Sequence, residues 1–395
     1  MGAVDPTYPL FPIASIIAAA LLLVVLMTGL IRKSWNLGVF FLSFWLFLMN
    51  LANAINTIVW ADNADLKLYV YCDIVSHLQI IGVVAKSTTT FIIVRRLYLI
   101  VSHQSVEPYS KRTHRWNLFV EWTLGVIFPL IVAGPVYYVV QAERFIVIQG
   151  FGCRDVILDS VLTFLLMETW SIIFPLLSIF FYYPKVVYTF YRHNRAVNGF
   201  LRSNDSVSRS TYFRVLALAS IDILITFPFG LTTFILGVLS ALPDPPFYIG
   251  WDILHTDWAP SSTAYSDWMW SPWASASFYF SLWTTPVLAF TIFGLFGLSG
   301  EALASYRHGL RTILRYFGKK TSVRTRDSTT ISGMGTMEFG ERTRGTVTIR
   351  GALTSQGSDY IIPASFETDK SPENSGGPEH ETSDGAEDRE KAVAI

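Results

Sequence analysis

The sequence predicts an all-α membrane protein built as a bundle of seven transmembrane helices. Of the 395 residues, 51% are hydrophobic and only 15% are charged, whereas soluble domains carry roughly 25% charge. Helices satisfy every backbone polar group in lipid, and the apolar runs are too long for barrel strands. The seven runs, which we number as helices 1 to 7, lie at residues 10–31, 37–60, 68–100, 116–140, 161–183, 215–239 and 274–298.

The distribution of Lys and Arg predicts the orientation. These residues concentrate after helices 1, 3, 5 and 7, while the loops after helices 2, 4 and 6 hold few of them. Because short cytosolic loops carry the excess positive charge, we expect the N-terminus outside and the C-terminus in the cytosol. Helix 1 is long enough to span and no basic segment precedes it, so we expect it to act as an uncleaved signal anchor. The sequon Asn204-Asp205-Ser206 would then lie in the cytosol, unused.

Composition divides the chain into four segments. A short extracellular N-terminus (1–9) precedes the transmembrane domain (10–298). Apolar residues then recur at helical spacing, with Arg on another face, which predicts an amphipathic helix along the inner leaflet at 299–320. The remaining residues, 321–395, are rich in Ser, Thr, Gly and acidic residues, which is typical of a disordered cytosolic tail.

The two cysteines fall on the same side of the membrane in this topology. Cys72 lies at the outer end of helix 3, and Cys153 lies in the second outer loop. Both would face an oxidising compartment, where disulfides persist. We therefore predict a disulfide between them; the alternative is two unrelated free thiols.

Ionisable groups inside the apolar runs are candidate functional residues, because burying a charge in lipid is costly. Lys86 precedes Arg95 by nine residues, or roughly 13 Å, and Asp222 follows Arg214 by eight, or roughly 12 Å. The two could lie at one depth and form a latch between helices 3 and 6 that holds a resting state. The alternatives are separate satisfaction by water or carbonyls, and a pair between Lys86 and Glu168. The four groups of this kind are Lys86, Glu121, Glu168 and Asp222.

Helix 2 carries amides at three-residue spacing, at Asn50, Asn53 and Asn56. They lie on one helical face, and amides hydrogen-bond between membrane helices. We expect them to join helices, with a water or ion network as the alternative.

Prolines interrupt helices 4 to 7 and remove backbone hydrogen bonds there. In helix 6, Phe227-Pro228-Phe229-Gly230 predicts a hinge at Pro228 between the outer and inner halves. The alternative is static curvature. The prolines are Pro129, Pro135, Pro175, Pro228 and Pro286.

These features separate the possible functions of a seven-helix protein. A retinal-binding pump needs a lysine in the last helix, and the run at 274–298 has none. A metal-dependent hydrolase is disfavoured, because His77 is the only histidine well within a span, and we predict no metal site. A transporter or channel for a small solute remains the alternative, although repeated halves are not evident. Basic inner loops, a helix 3 tied to an outer loop and an amphipathic helix after helix 7 favour a G-protein-coupled receptor.

Motifs in five of the helices carry a resemblance to a known family. The motifs, and their order along the chain, resemble those of the fungal mating pheromone receptors of the a-factor type, which are class D receptors. The resemblance is greatest to the receptors of mushrooms and other basidiomycetes. The resemblance covers residues 8–310, and the acidic-Arg-Tyr and Asn-Pro-x-x-Tyr signatures of rhodopsin-like receptors are absent. The motifs are Trp45 with Asn50 and Asn53, Val94-Arg95-Arg96-Leu97-Tyr98, Phe174-Pro175, Tyr183-Pro184, Arg214-Val215-Leu216-Ala217-Leu218, Asp222, Phe227-Pro228, Trp283, Pro286 and Phe293-Gly294.

The resemblance implies a plasma-membrane receptor for a lipidated, typically farnesylated, peptide pheromone. Binding would activate a heterotrimeric G protein and a mating MAP kinase cascade, without enzymatic chemistry or a cofactor. Membrane lipids are further partners, a homo-oligomer is compatible with the sequence, and no nucleic-acid partner is expected.

Two sets of residues are candidates for these contacts. The Trp-rich third outer loop could contact a prenyl group while its Asp residues attract basic groups of the peptide; an interfacial aromatic belt is the alternative. The inner Arg residues could contact the G protein, although some would only anchor to anionic lipid. The candidate ligand region comprises His77, Glu168, Trp251, Asp252, Asp257, Trp258, Asp267 and Trp268. The candidate G-protein face comprises Arg95, Arg96, Arg192, Arg195 and Arg214.

Overall fold

Seven helices long and apolar enough to cross a membrane are present in the part of the chain that the structure describes, which confirms the predicted bundle. The structure is a computed structural model, and it describes residues 2–32, 36–102, 111–158, 160–192, 209–241, 246–269, 272–300 and 302–307. Four of the seven are regular α-helices throughout: helix 1 (Leu10–Arg32), helix 2 (Leu37–Val59), helix 3 (Tyr69–Ser102) and helix 6 (Arg209–Ala241).

Helices 4, 5 and 7 contain wider, π-helical turns. In helix 4, Pro129 and Pro135 have no N–H to donate to the carbonyl four residues earlier, so the local ladder of hydrogen bonds rearranges there. Helix 6, in contrast, runs through Pro228 without such a turn. Helix 4 comprises Lys111–Trp122, Thr123–Ile127 (π), Phe128–Ile131, Val132–Val136 (π) and Tyr137–Val140. Helix 5 comprises Val161–Thr163, Phe164–Glu168 (π), Trp170–Leu177, Ser178–Tyr182 (π) and Tyr183–Arg192. Helix 7 comprises Pro272–Ile292 and Phe293–Gly297 (π).

Helix 3 runs through the centre of the bundle. One of its buried faces packs through Val94 and Leu97 against Leu218 of helix 6 and Leu288 of helix 7 in one apolar cluster. Nearer its other end, Val84 belongs to a second cluster with helices 2, 4 and 5. Movement of helix 3 or of its neighbours therefore disturbs most of the apolar interior.

A small sheet ties together two loops at one end of the bundle, which we call the disulfide end. Strands β1 (Ile146–Ile148) and β2 (Gly152–Arg154) form an antiparallel hairpin in the loop between helices 4 and 5. Strand β3 (Ser261–Thr263), from the loop between helices 6 and 7, pairs parallel with β1. We call these loop 2 and loop 3; loop 3 also contains short helices at Trp251–Thr256 and Tyr265–Trp268.

Loop 3 crosses the disulfide end and reaches helix 4. The Tyr248 hydroxyl donates to the Val139 carbonyl at 3.3 Å, and the Leu162 N–H donates to the Phe247 carbonyl at 3.0 Å. Loops 2 and 3 therefore form one cap over helices 4, 5 and 7.

The predicted juxtamembrane helix is described only in part. Residues 302–307 are helical, while the rest of that segment and the tail at 321–395 lie outside the described residues. The amphipathic helix, the disordered tail and the orientation of the bundle in the membrane stay predictions.

Candidate functional site

The predicted disulfide joins Cys72 of helix 3 to Cys153 of β2, with a Cα–Cα distance of 5.2 Å. Both residues are fully buried. Gly152 precedes Cys153 at φ +72°, and a side chain there would collide with Asn56 and Trp60. Glycine is therefore needed for the hairpin to lie this close to helix 2.

The backbone carbonyl of Cys153 is a meeting point for two helices. The Asn56 amide of helix 2 donates to it at 3.1 Å, and the Gln79 amide of helix 3 donates to it at 3.0 Å. The Tyr71 hydroxyl in turn donates to Asn56 Oδ1 at 2.9 Å. Asn56 thus joins helix 2 to helix 3 through Tyr71, as its position predicts, and it also holds loop 2 in place through Cys153.

The other helix 2 amides also link helices. Asn50 Nδ2 donates to the Leu46 carbonyl at 2.8 Å and to the Thr285 carbonyl of helix 7 at 3.3 Å. Asn53 Nδ2 lies 3.4 Å from the Thr285 hydroxyl. These bonds stabilise the interface between helices 2 and 7.

A second link between helix 3 and loop 2 was not evident from the sequence. The Arg144 guanidinium donates to both Asp73 carboxylate oxygens, at 2.7 and 2.6 Å. This paired geometry fixes direction as well as distance. The sequence gives only a weak signal, since Arg144 is one of the few basic residues in the loop after helix 4.

Loop 2 also places a charged pair beside helix 7. The Arg154 guanidinium lies 4.8 Å from the centre of the Phe278 ring, a cation–π distance. Burial lowers the pKa of Arg154 to about 10, against the opposing effect of Asp155. Burial also raises the pKa of the Asp155 carboxyl, with Arg154 acting in the opposite direction.

Beneath this cap lies a cavity of about 670 Å³ between helices 3, 5, 6 and 7. Lys86 lines it from helix 3 and Glu168 from helix 5, while Gly230 and Thr284 line it from helices 6 and 7. Asp267 and the neighbouring Trp268 contribute from loop 3. A concave site that several helices share is suited to a ligand that must bias their arrangement.

Only some of the candidate ligand residues reach this cavity. Glu168, Asp267 and Trp268 line it, together with Lys86. His77 is not among the lining residues: its Nδ1 lies 2.7 Å from the Asp73 carbonyl, and its ring packs edge-on against Tyr137.

The loop 3 tryptophans Trp251 and Trp258 form a separate cluster over helix 4. The His255 ring stacks between them, with centroid distances of 3.9 and 5.1 Å, and all three rings contact Tyr138. Asp257 Oδ1 accepts from the Ala259 N–H at 3.3 Å. The backbone carbonyl of Asp252 accepts from the Thr256 hydroxyl.

The proposed latch residues lie near each other, and Asp222 has a second partner. The Thr90 hydroxyl of helix 3 donates to Asp222 Oδ2, while Asp222 Oδ1 is buried without a hydrogen bond. Lys86 and Asp222 are close enough to interact electrostatically. In the part of the chain that the structure describes, no salt bridge of 4 Å or less joins Lys86 to Asp222. Helix 3 and helix 6 are therefore joined directly through Thr90, and the latch stays a prediction.

At the opposite end of the bundle, two candidate G-protein contacts are engaged by helix 4. Arg95 Nη2 donates to Asn117 Oδ1 at 2.6 Å. Arg96 Nη1 lies 3.4 Å from Glu121 Oε2, and the Glu121 side chain is only 5% exposed. Arg214 is half-buried near the start of helix 6. The Arg192 side chain and Arg195 lie outside the described residues.

The fold and the site define a multi-pass membrane protein with seven helices and a ligand-sized cavity. Comparison with known proteins gives the family: residues 10–317 match the model of the pheromone A receptor family. The chain belongs to this family.

Relatives include the pheromone B alpha 2 receptor of Schizophyllum commune, 31% identical over 76% of this chain and 46% of the relative. Pheromone receptor 1 of Ustilago hordei is 27% identical over 74% and 80% of the two chains. The pheromone a factor receptor of Saccharomyces cerevisiae is 24% identical over 76% and 62%. The chain spans about half the length of the alpha-type Schizophyllum receptors that it matches.

Proposed function

We propose that this pheromone receptor is a G-protein-coupled receptor for a farnesylated peptide mating pheromone at the plasma membrane. Peptide binding would activate a heterotrimeric G protein and, through it, a mating MAP kinase cascade. The chain itself would perform no bond chemistry and need no cofactor.

The cavity is the observation that carries this proposal. It contacts helix 3 at Lys86 and helix 6 at Gly230, and loop 3 covers it through Asp267. A ligand there touches the central helix and helix 6, in which we predict a hinge at Pro228. It can shift the population toward an active arrangement only by binding that arrangement more tightly.

The prenyl chain needs apolar surface, which loop 3 offers outside the cavity. Phe247 is 65% exposed and Ile253 is 71% exposed, beside the Trp251 cluster. We propose that the farnesyl group lies on this surface while the peptide enters the cavity. Aromatic residues that also border lipid suit a ligand delivered from the membrane.

The predicted orientation would put the disulfide end outside and the basic end in the cytosol. With the disulfide end outside, the disulfide would lie in an oxidising compartment, where it persists. With the basic end in the cytosol, its Arg residues could contact a G protein and anionic lipid. Arg96 would have to leave Glu121 before it could contact a G protein, while Arg214 offers a charge on helix 6.

The test is expression of the full chain in yeast that lacks its own pheromone receptor. A panel of synthetic farnesylated peptides is applied, and GTP exchange on the G protein is followed with a MAP-kinase reporter. We expect at least one peptide to give a saturable response that its unfarnesylated form gives only at much higher concentration.

A Gly230→Trp variant provides the matched test of the cavity. An added Cβ at Gly230 meets only Ser171, at 3.8 Å and beyond, so a large side chain should fill the cavity without breaking the helix. Thr232→Trp, at an exposed position two residues away, is the control. Solute flux without GTP exchange would instead support a transporter or channel.

A further inference from the structure

The threonines that line the cavity offer hydrogen-bond acceptors to a ligand. Each of the four lining threonines donates its hydroxyl hydrogen to a backbone carbonyl. Because the hydrogens are engaged, these hydroxyl oxygens can act toward a ligand only as hydrogen-bond acceptors. The pairs are Thr163 with Leu158 (2.8 Å), Thr226 with Asp222 (2.7 Å), Thr233 with Phe229 (3.0 Å) and Thr284 with Phe280 (2.7 Å).

A backbone acceptor lies in the same wall. Ser171 lines the cavity on helix 5, and Pro175, four residues later, has no N–H to donate to its carbonyl. Gly230 of helix 6 brings its backbone close to this oxygen: an added Cβ would lie 3.9 Å from it. The helix 5 side of the cavity thus adds a carbonyl to the threonine oxygens.

The acidic residues that line the cavity also favour a ligand that donates hydrogen bonds. Glu168 and Asp267 line it from helix 5 and from loop 3, and Lys86 lines it from helix 3. Asp222 is close enough behind Lys86 to offset part of its charge. Two carboxylates therefore face a ligand from the other walls, and carboxylates bind ammonium and guanidinium groups through strong, charge-assisted hydrogen bonds.

We propose that Glu168 and Asp267 make this cavity a site for the cationic part of the peptide, a free amino terminus or a Lys or Arg side chain. Glu168 is the specificity-determining residue, because it lies on helix 5 beside the acceptor wall. This inference rests on the proposed function and narrows it: the sequence pointed to Asp residues throughout loop 3, whereas the structure assigns the role to the two acidic groups that reach the cavity.

The experiment uses the full-length receptor and a farnesylated peptide that activates it. Analogues of that peptide are made in which the amino terminus is acetylated, or in which one basic residue is replaced by Gln or by Glu. Each is titrated against wild type, Glu168→Gln, Glu168→Lys and Asp267→Asn. Asp65→Lys, at an exposed loop position of the same end, is the matched control for a charge change outside the cavity.

We expect Glu168→Lys to weaken the response to the parent peptide by about tenfold or more, since a desolvated charge pair is replaced by a repulsion. One Glu analogue should regain potency on this variant only, and Asp65→Lys should behave like wild type. Cell-surface amounts and basal signalling show that each variant folds, and Glu168→Gln provides the milder substitution.

Two outcomes would overturn the inference. One is an unchanged ranking of analogues on Glu168→Lys and Asp267→Asn at normal surface levels. The other is an equal shift for Asp65→Lys, which would mean that the charge acts at long range. If wild type answers no farnesylated peptide, the proposed function fails instead, so the two failures are distinguishable.

Discussion

The indole Nε1 of Trp45 in helix 2 donates to the backbone carbonyl of Gly125 in helix 4, at 2.9 Å. Gly125 lies in a π-helical turn, and Pro129, four residues later, has no N–H for this carbonyl. A tryptophan on one helix thus satisfies the acceptor that a proline frees on another. A side chain at Gly125 would collide with Phe41, so the glycine also permits the close approach of the two helices.

Replacing Trp45 by Phe is expected to destabilise the bundle by about 1 kcal/mol, because the buried carbonyl loses its donor. The measurement is the thermal unfolding midpoint of the detergent-solubilised receptor. Trp116→Phe, at a ring that is 62% exposed, should have little effect. In a Pro129→Ala background, residue 129 gains an N–H that can donate to the Gly125 carbonyl, so Trp45→Phe should cost less stability there. An equal loss of stability in both backgrounds would contradict this account.

The carbonyl of Cys153 should tolerate the loss of either of its donors but not of both. Asn56→Leu and Gln79→Leu each leave one amide on that oxygen, so each single change should cost little at this carbonyl. The double variant strands a buried acceptor and should lose about 1–3 kcal/mol more than the sum of the singles. Thermal unfolding of the four proteins gives this coupling energy. Strict additivity would show that the two bonds act independently.

The latch hypothesis makes a prediction about basal signalling. Lys86→Ala or Asp222→Ala alone should raise ligand-independent activity, and the charge swap of the two residues should lower it again. Thr90→Val tests the direct contact: it removes the hydroxyl that donates to Asp222 and keeps the shape. GTP exchange without peptide is the readout. Unchanged basal activity in both alanine variants would exclude a latch, and activation by Thr90→Val alone would assign it to the hydroxyl.

Asp155 should make stability depend on pH. Burial raises the pKa of its carboxyl above the ordinary value of 3.8. The folded state therefore holds the proton more tightly than the unfolded state. The stability that the protonated Asp155 carboxyl contributes is fully present at a pH below its ordinary pKa. It is lost as the pH rises through the pKa of the folded state.

The measurement is the difference in unfolding midpoint between Asp155→Asn and wild type from about pH 4 to pH 8. We expect Asp155→Asn to gain relative stability as the pH rises. Asp65→Asn, at an exposed carboxylate, should follow the wild-type profile. Parallel profiles for wild type and Asp155→Asn would contradict the prediction.

The sequence was most informative where a property depends on one segment at a time. Seven spans could be predicted because crossing a bilayer requires a local run of apolar residues. The pairing of Cys72 with Cys153 followed because the chain has only two cysteines and the charge pattern placed both on one side. The family was recognisable from short motifs in a fixed order, and the match to residues 10–317 confirms it.

The sequence was least informative about partners. It correctly predicted that Asn56 joins helices, since Asn56 bonds to Tyr71 of helix 3, but nothing in it indicated the second bond to Cys153 of loop 2. It matched Asp222 with Lys86 by depth, and depth cannot say that Thr90 faces the same carboxylate. Arg144 and Asp73 are 71 residues apart, and nothing in either neighbourhood indicates the other.

The sequence by itself determined that this chain is a seven-helix membrane receptor of the pheromone A family with one disulfide between helix 3 and loop 2. Only the tertiary structure decided which side chains share a cavity, which carbonyls they satisfy and which acidic residues reach a ligand. The reason is physical. Insertion into lipid is governed by the summed hydrophobicity of each segment, which can be read locally, while contacts depend on how each helix is rotated and tilted against its neighbours, which only the packing of the whole bundle fixes.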